Sequence, residues 1–159
     1  MKFTKRIFLI LIACAITTNI CAIQFRHLSI KDGLSQLSVL SIYQDKLGRM
    51  WFGTEEGINV FDGNNLTAIK TLRNIPPQNL EVRWICGDEK GNIYFQLGTS
   101  IVCIDFATQS NTVLVKKGVT TLCHHSGKIY YASRGSVYIY NIAKQSTHCM
   151  GQLTKDNIK

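Results

Sequence analysis

The sequence predicts an all-β fold: about three four-stranded antiparallel sheets stacked around an axis as a partial β-propeller, behind an N-terminal export segment. Three observations predict it. A spaced set of residues, Asp45, Gly48, Trp51 and Asp62, recurs as Asp88, Gly91, Tyr94 and Asp105, and again in weaker form as His124, Gly127, Tyr130 and Asn141. Turn-forming residues punctuate every copy at matching places. The apolar runs between the turns do not alternate with polar residues, so both faces of each small sheet need cover, which face-to-face stacking of blades provides and a two-sheet sandwich does not.

Met1 to Arg6 is basic, Ile7 to Ile16 is an unbroken apolar run, and Ile20-Cys21-Ala22 ends on a small residue, the pattern of a secretory signal over residues 1–22. Cleavage after Ala22 places the new N-terminus at Ile23. An uncleaved anchor and a lipoprotein modified at Cys14, within Leu11-Ile12-Ala13-Cys14, are the alternatives. The apolar run is shorter than the roughly 20 residues that span a bilayer. Removal of the segment takes with it Lys2, Lys5 and Arg6 and lowers the net charge from +8 to about +5.

Residues 23–36 are expected to form an outer strand and a lead-in loop, with Gln24 to Ile30 as the strand. Blade one follows over 37–70 as SVLSIY, RMWFGT, INVF and LTAIK. Asp45 and Gly48 suit the first and fourth positions of a type I turn, and Asp62-Gly63 suits a hairpin turn that requires positive φ. Residues 71–81 form a connection, because they hold both prolines, Pro76 and Pro77, which cannot donate to a ladder. Blade two spans 82–116, blade three 119–153, and 154–159 is a tail. Trp51, Tyr94 and Tyr130 are expected to pack between blades.

At these residues the chain resembles the periplasmic propeller of two-component regulators, as in the sensor domain of Bacteroidetes hybrid two-component histidine kinases. The stretch FRHLSIKDGLSQLSV (25–39) resembles the usual lead-in to the first blade, and YQDKLGRMWFGTEEGINVFDG (43–63) resembles the blade repeat throughout. Copy two departs at Gln96-Leu97 and Ser100-Ile101, and copy three has His124 at the Asp position. The resemblance implies a ligand-sensing ectodomain that works with a β-sandwich, a membrane span and kinase modules. Three blades fall short of the 4 to 8 of ordinary propellers, so the chain is expected to be part of a larger propeller, truncated or split, with the missing remainder or self-association supplying its partner.

Other functions are disfavoured by particular residues. Asp45, Asp62, Asp88 and Asp105 are accounted for by turns, which leaves no convergent acid and base pair and argues against an enzyme. Cys123-His124-His125 and His148-Cys149 suggest zinc chemistry, but two strands separate them and adjacent strand residues face opposite ways, so neither a metal nor another cofactor is expected. Cys86, Cys103, Cys123 and Cys149 allow three disulfide pairings after export, yet Cys86 and Cys103 lie in apolar strand runs and suit small buried hydrophobes. Scattered basic residues without an aromatic platform exclude a nucleic-acid role. Ligand candidates lie on the rim shared by the lead-in segments and the turns between second and third strands: Gln36, Glu55, Arg83, Trp84 and Arg134. An oligosaccharide is the candidate ligand, and membrane contact is expected only through the signal or anchor.

Overall fold

The computed structural model describes residues 25–69 and 80–152; the export segment, most of the proline-bearing connection and the tail lie outside the described residues. It contains three four-stranded antiparallel sheets and almost no helix. Blade one comprises β1 (Val39–Gln44), β2 (Met50–Thr54), β3 (Gly57–Phe61) and β4 (Leu66–Ala68). Blade two comprises β5 (Ile85–Gly87), β6 (Ile93–Leu97), β7 (Ser100–Ile104) and β8 (Asn111–Val115), and blade three β9 (Val119–His125), β10 (Lys128–Ser133), β11 (Ser136–Asn141) and β12 (Ser146–Gln152). Strands pair in sequence order within every blade. The first strands approach one another, β5 touching both β1 and β9, and so line the axis. This is propeller geometry.

The turns show why the repeat has its spacing. Asp45 Oδ1 accepts the backbone N–H groups of Leu47 (2.9 Å) and Arg49 (3.0 Å), and the Gly48 N–H reaches the Asp45 carbonyl at 2.9 Å. The second carboxylate oxygen accepts the Trp51 indole N–H at 2.9 Å and the Arg49 Nε at 2.7 Å. Asp88 repeats the arrangement, taking the Lys90 and Asn92 N–H groups on one oxygen and the Tyr94 hydroxyl on the other, at 2.8 Å. One carboxylate therefore closes the turn and holds the polar edge of a core aromatic six residues on. Asp62, Asp105 and Asn141 form the corresponding series between third and fourth strands, where their side-chain oxygens accept the N–H groups of Asn64, Thr108 and Lys144.

Copy three is built differently. Tyr130 pairs with Cys123 as Tyr94 pairs with Cys86, so His124 occupies the strand position of Gly87 and not that of Asp88. Its β9–β10 connection is the two-residue turn Ser126-Gly127, with φ of 48° and 70°, the left-handed pair a tight hairpin uses. No aspartate is needed because no five-residue loop has to be closed.

Two apolar layers fill the spaces between blades. Trp51 and Ile58 of blade one meet Val82, Ile93, Phe95, Leu97, Val102 and Ile104 of blade two. Tyr94 and Ile101, on the other face of blade two, meet Val119, Leu122, Ile129 and Tyr131 of blade three. Blade two is thus covered on both faces, and its β6 is buried at every position, which explains an apolar run without alternation. Tyr130 lies on the face of blade three turned away from blade two and is only half-buried, unlike Trp51 and Tyr94.

Residues 25–29 have no ladder partner among the described residues, and Ile30–Asp32 form a single 3-10 turn in which Asp32 accepts from the Ser29 N–H and hydroxyl. The segment lies against blade one. Arg26 sits 5.2 Å over the Phe61 ring, and Ser35 exchanges hydrogen bonds with the Asn59 amide and meets Thr54 Oγ1 at 3.0 Å. An added Cβ at Gly33 would come within 2.6 Å of the Leu66 carbonyl oxygen, so this close approach requires glycine.

Candidate ligand-binding site

The segments that lead into blades two and three are tied to the preceding blade in the same way. Val82 N–H donates to the Thr54 carbonyl at 2.9 Å, and Val119 N–H donates to the Thr99 carbonyl at 2.9 Å. These bonds put the lead-in segments and the β2–β3-type turns on one rim, where every candidate ligand residue lies. The rim positions differ in their local chemistry. Gln36 donates through Nε2 to Glu55 Oε2 at 2.9 Å and its own carbonyl oxygen accepts from the Ser38 N–H, so Gln36 and Glu55 bind one another. Arg134 occupies the left-handed position of the Arg134-Gly135 turn, with φ 49°, and is exposed.

Arg83 and Trp84 are brought together. With Leu40, Ser41, Ile42 and Ile85 they line a cavity of about 480 Å³ between the first strands of blades one and two, on the axial side. Trp84 is 45% exposed and Ile42 60%, an unusual exposure for such residues beside a sheet axis. The indole is fixed at its far edge, where Nε1 donates to the Thr120 carbonyl of blade three at 3.2 Å. Trp84 thus lines the cavity while its indole nitrogen is held by blade three. Arg83 pairs with Glu81, and both side chains remain solvent-accessible, so the pair is weak and the guanidinium keeps donors to spare. The Ser41 hydroxyl is already donating to the Val82 carbonyl at 3.1 Å.

A held indole, an available guanidinium and two aliphatic side chains can stack on and hydrogen-bond a polar ring. Among the described residues that line the cavity none is a carboxylate, imidazole or thiol. Sequence reading identified Arg83 and Trp84 from their place on the rim. It missed Leu40, Ile42 and Ile85, which read as ordinary strand residues because the missing signal, their exposure to the axis, depends on how blades stack.

The remaining titratable clusters are structural. Cys86, Cys103, Cys123 and Cys149 are free thiols. Burial pushes Cys86 and Cys103 up to about 12, so both are neutral and unreactive at physiological pH. His124 stacks on Tyr94, ring centroids 6.1 Å apart, while His125 is exposed. Cys123 and His148 share one row across the sheet with Tyr130 and Ile139 between them. Among the described residues no group of three or more His, Cys, Asp or Glu side chains is placed to hold a metal ion.

Comparison with known proteins agrees with this architecture. Residues 33–56, from the lead-in turn through the β1–β2 hairpin, match the family described as two component regulator propeller. A 58-residue stretch is 43% identical to histidine kinase P4 of Formosa agariphila, covering 36% of this chain and 4% of that protein. Two solved extracellular domains from B. thetaiotaomicron share the fold. That of a hybrid two-component system superposes with a TM-score of 0.65 at 24% identity over 77% of this chain and 19% of the other. That of a one-component system gives 0.64 at 13% identity over 80% and 18%. Residues 33–56 are therefore similar to a two component regulator propeller repeat, the fold is that of a propeller, and the chain spans under a fifth of the length of these relatives.

Proposed function

We propose that this chain is a non-catalytic, extracytoplasmic ligand-sensing segment of a two-component sensor and that the Arg83–Trp84 cavity takes a saccharide. The observation that carries the reading is the cavity itself: a half-exposed indole, anchored through its nitrogen, beside a guanidinium, in a propeller with a regulator-propeller repeat. Sugars offer one apolar ring face to an aromatic and a girdle of hydroxyls to planar donors, which is what these two side chains present. The absence of acid–base groups among the lining residues fits a sensor that binds without turnover. Among the described residues no helix is long and apolar enough to cross a membrane. The Met1–Ala22 pattern supports export, and the exported protein is expected to begin at Ile23 by mass spectrometry; a lipid-modified Cys14 would replace that assignment.

Calorimetry of the exported protein against a panel of neutral and anionic oligosaccharides tests the binding role. Binding that is lost in Trp84→Ala and weakened in Arg83→Gln, with no new reducing ends released, is expected. Release of reducing ends would assign an enzyme instead. The second reading, a protein-interaction module, is favoured by the uncovered sheet faces at both ends of the blade stack; no saccharide binding together with a stable hetero-complex would establish it.

A further inference from the structure

We propose that the saccharide taken by the Arg83–Trp84 cavity is an acidic one, bearing a carboxylate or sulfate that the Arg83 guanidinium binds, an inference that rests on the saccharide reading and names its class. The chain repeats one feature in all three of its first strands. In blade one Val39 pairs with Thr54 and Ser41 with Gly53, which leaves Leu40 as an extra residue. In blade three Val119 pairs with Ser133 and Thr121 with Ala132, which leaves Thr120. In blade two the N–H groups of Gln96 and Gly98, two residues apart, reach the carbonyls of Trp84 at 3.0 Å and Glu81 at 2.8 Å, three residues apart, so this strand too carries an extra residue, Arg83 by its place after Val82. Each first strand thus opens with a β-bulge, a device that re-aims a side chain out of the ladder.

The three bulges converge on one place. Leu40 and Arg83 line the cavity directly, and the Thr120 carbonyl receives the Trp84 indole N–H at 3.2 Å, which fixes another part of the wall. The residue before each bulge is a valine, Val39, Val82 and Val119, while the bulged residues are leucine, arginine and threonine, so the copies keep the junction and vary what it presents. Blade two has a neighbour on both faces within the chain and Val82 is fully buried there, yet the Arg83 side chain beside it is 58% exposed. That exposure comes from the bulge and not from an uncovered blade.

The polar inventory of the cavity then sets the ligand. The Ser41 hydroxyl hydrogen is spent on the Val82 carbonyl and the indole N–H on the Thr120 carbonyl. Leu40, Ile42 and Ile85 offer no polar side-chain atom. The side-chain donors left over all belong to the Arg83 guanidinium, whose five N–H groups are more than its ion pair with Glu81 can use. A sugar hydroxyl asks for a donor and an acceptor together, and Ser41 Oγ is the one side-chain acceptor among the described lining residues. A carboxylate or sulfate only accepts, meets the planar guanidinium through two oxygens, and is attracted by a positive charge that no lining carboxylate opposes. The aliphatic residues around the contact keep water back and so strengthen it, and the positive net charge of the chain favours the approach of an anion.

Calorimetry of the exported protein with matched pairs tests the class: short oligogalacturonates against the same chains methyl-esterified, and a sulfated galactan oligosaccharide against its desulfated form. An acidic member is expected to bind roughly tenfold tighter than its neutral partner, with the gap closing as salt rises. The pair that shows the gap distinguishes carboxylate from sulfate. Arg83→Gln should bring the acidic member down to the affinity of the neutral one. Leu40→Arg, which sets a second guanidinium at the equivalent bulge of blade one, should widen the gap, and both variants should keep the β-sheet circular dichroism of the parent. Neutral members binding as tightly as acidic ones, or an acid preference that Arg83→Gln leaves unmoved or Leu40→Arg fails to raise, would overturn the proposal and leave the sensing role in place. Binding by no member of either pair would overturn it together with the saccharide reading.

Discussion

At the residue scale the most consequential group is the carboxylate of Asp45, 6% exposed and serving four donors. Burial alone would raise its pKa, but the bonds from Trp51, Arg49 and the backbone outweigh burial and hold it below the ordinary value. Asp88 is lowered by the same balance. A carboxylate with a depressed folded pKa contributes stability that is fully present above its unfolded value of about 3.9 and is lost as pH falls through the folded value. Urea melts should therefore give constant stability from neutrality to about pH 5 and a decline below about pH 4. Asp45→Ala leaves the buried Trp51 indole N–H unpaired and is expected to lower stability by about 2–3 kcal/mol at pH 7, with a flatter acid decline. An unchanged urea midpoint at pH 7 would refute this role. The sequence showed Asp45 as a turn former from its spacing to Gly48. It did not show the second task, since a bond from Trp51 to a carboxylate across the hairpin depends on strand register.

At the element scale, the blades were legible because each hairpin announces itself locally. Asp-x-x-Gly and Asp-Gly fix turns within a few residues, and the spacings of 3, 3 and 11 repeat them. The contacts between blades were less legible. Val39, Val82 and Val119 stand 43 and then 37 residues apart, whereas the aromatic series runs 43 and then 36, because the Ser126-Gly127 turn is shorter than its counterparts. A fixed offset therefore aligns one series and misaligns the other. The site was half legible for the same reason: rim position identifies Arg83 and Trp84, while the cavity wall at Leu40 and Ile42 arises only when two blades are set side by side. Gly53 tests the importance of that setting. A methyl there would meet the Ser41 hydroxyl and the Val82 backbone, which cannot both yield while Ser41 Oγ holds the Val82 carbonyl. Gly53→Ala should cost about 1–3 kcal/mol by overpacking, read as a lowered urea midpoint; a change within a few tenths of a kcal/mol would show that the blade junction gives way freely.

Across the whole molecule, order should grade with the number of covered faces. Blade two is packed on both sides, with Ile93, Phe95, Ile101 and Val102 at 1% exposure or less, whereas blade three has a single packed face among the described residues and the second face of blade one is covered only in part, by the Arg26–Ser35 segment. β12 lies at the opposite extreme, exposed at every position. Local opening exposes little new apolar surface there and a great deal at β6, so its free-energy cost differs accordingly. Native-state hydrogen exchange should therefore find the slowest amides in β6 and β7, intermediate ones in β2, β3 and β10, and the fastest in β12. Equal protection of β12 and β6 would contradict the grading by covered faces.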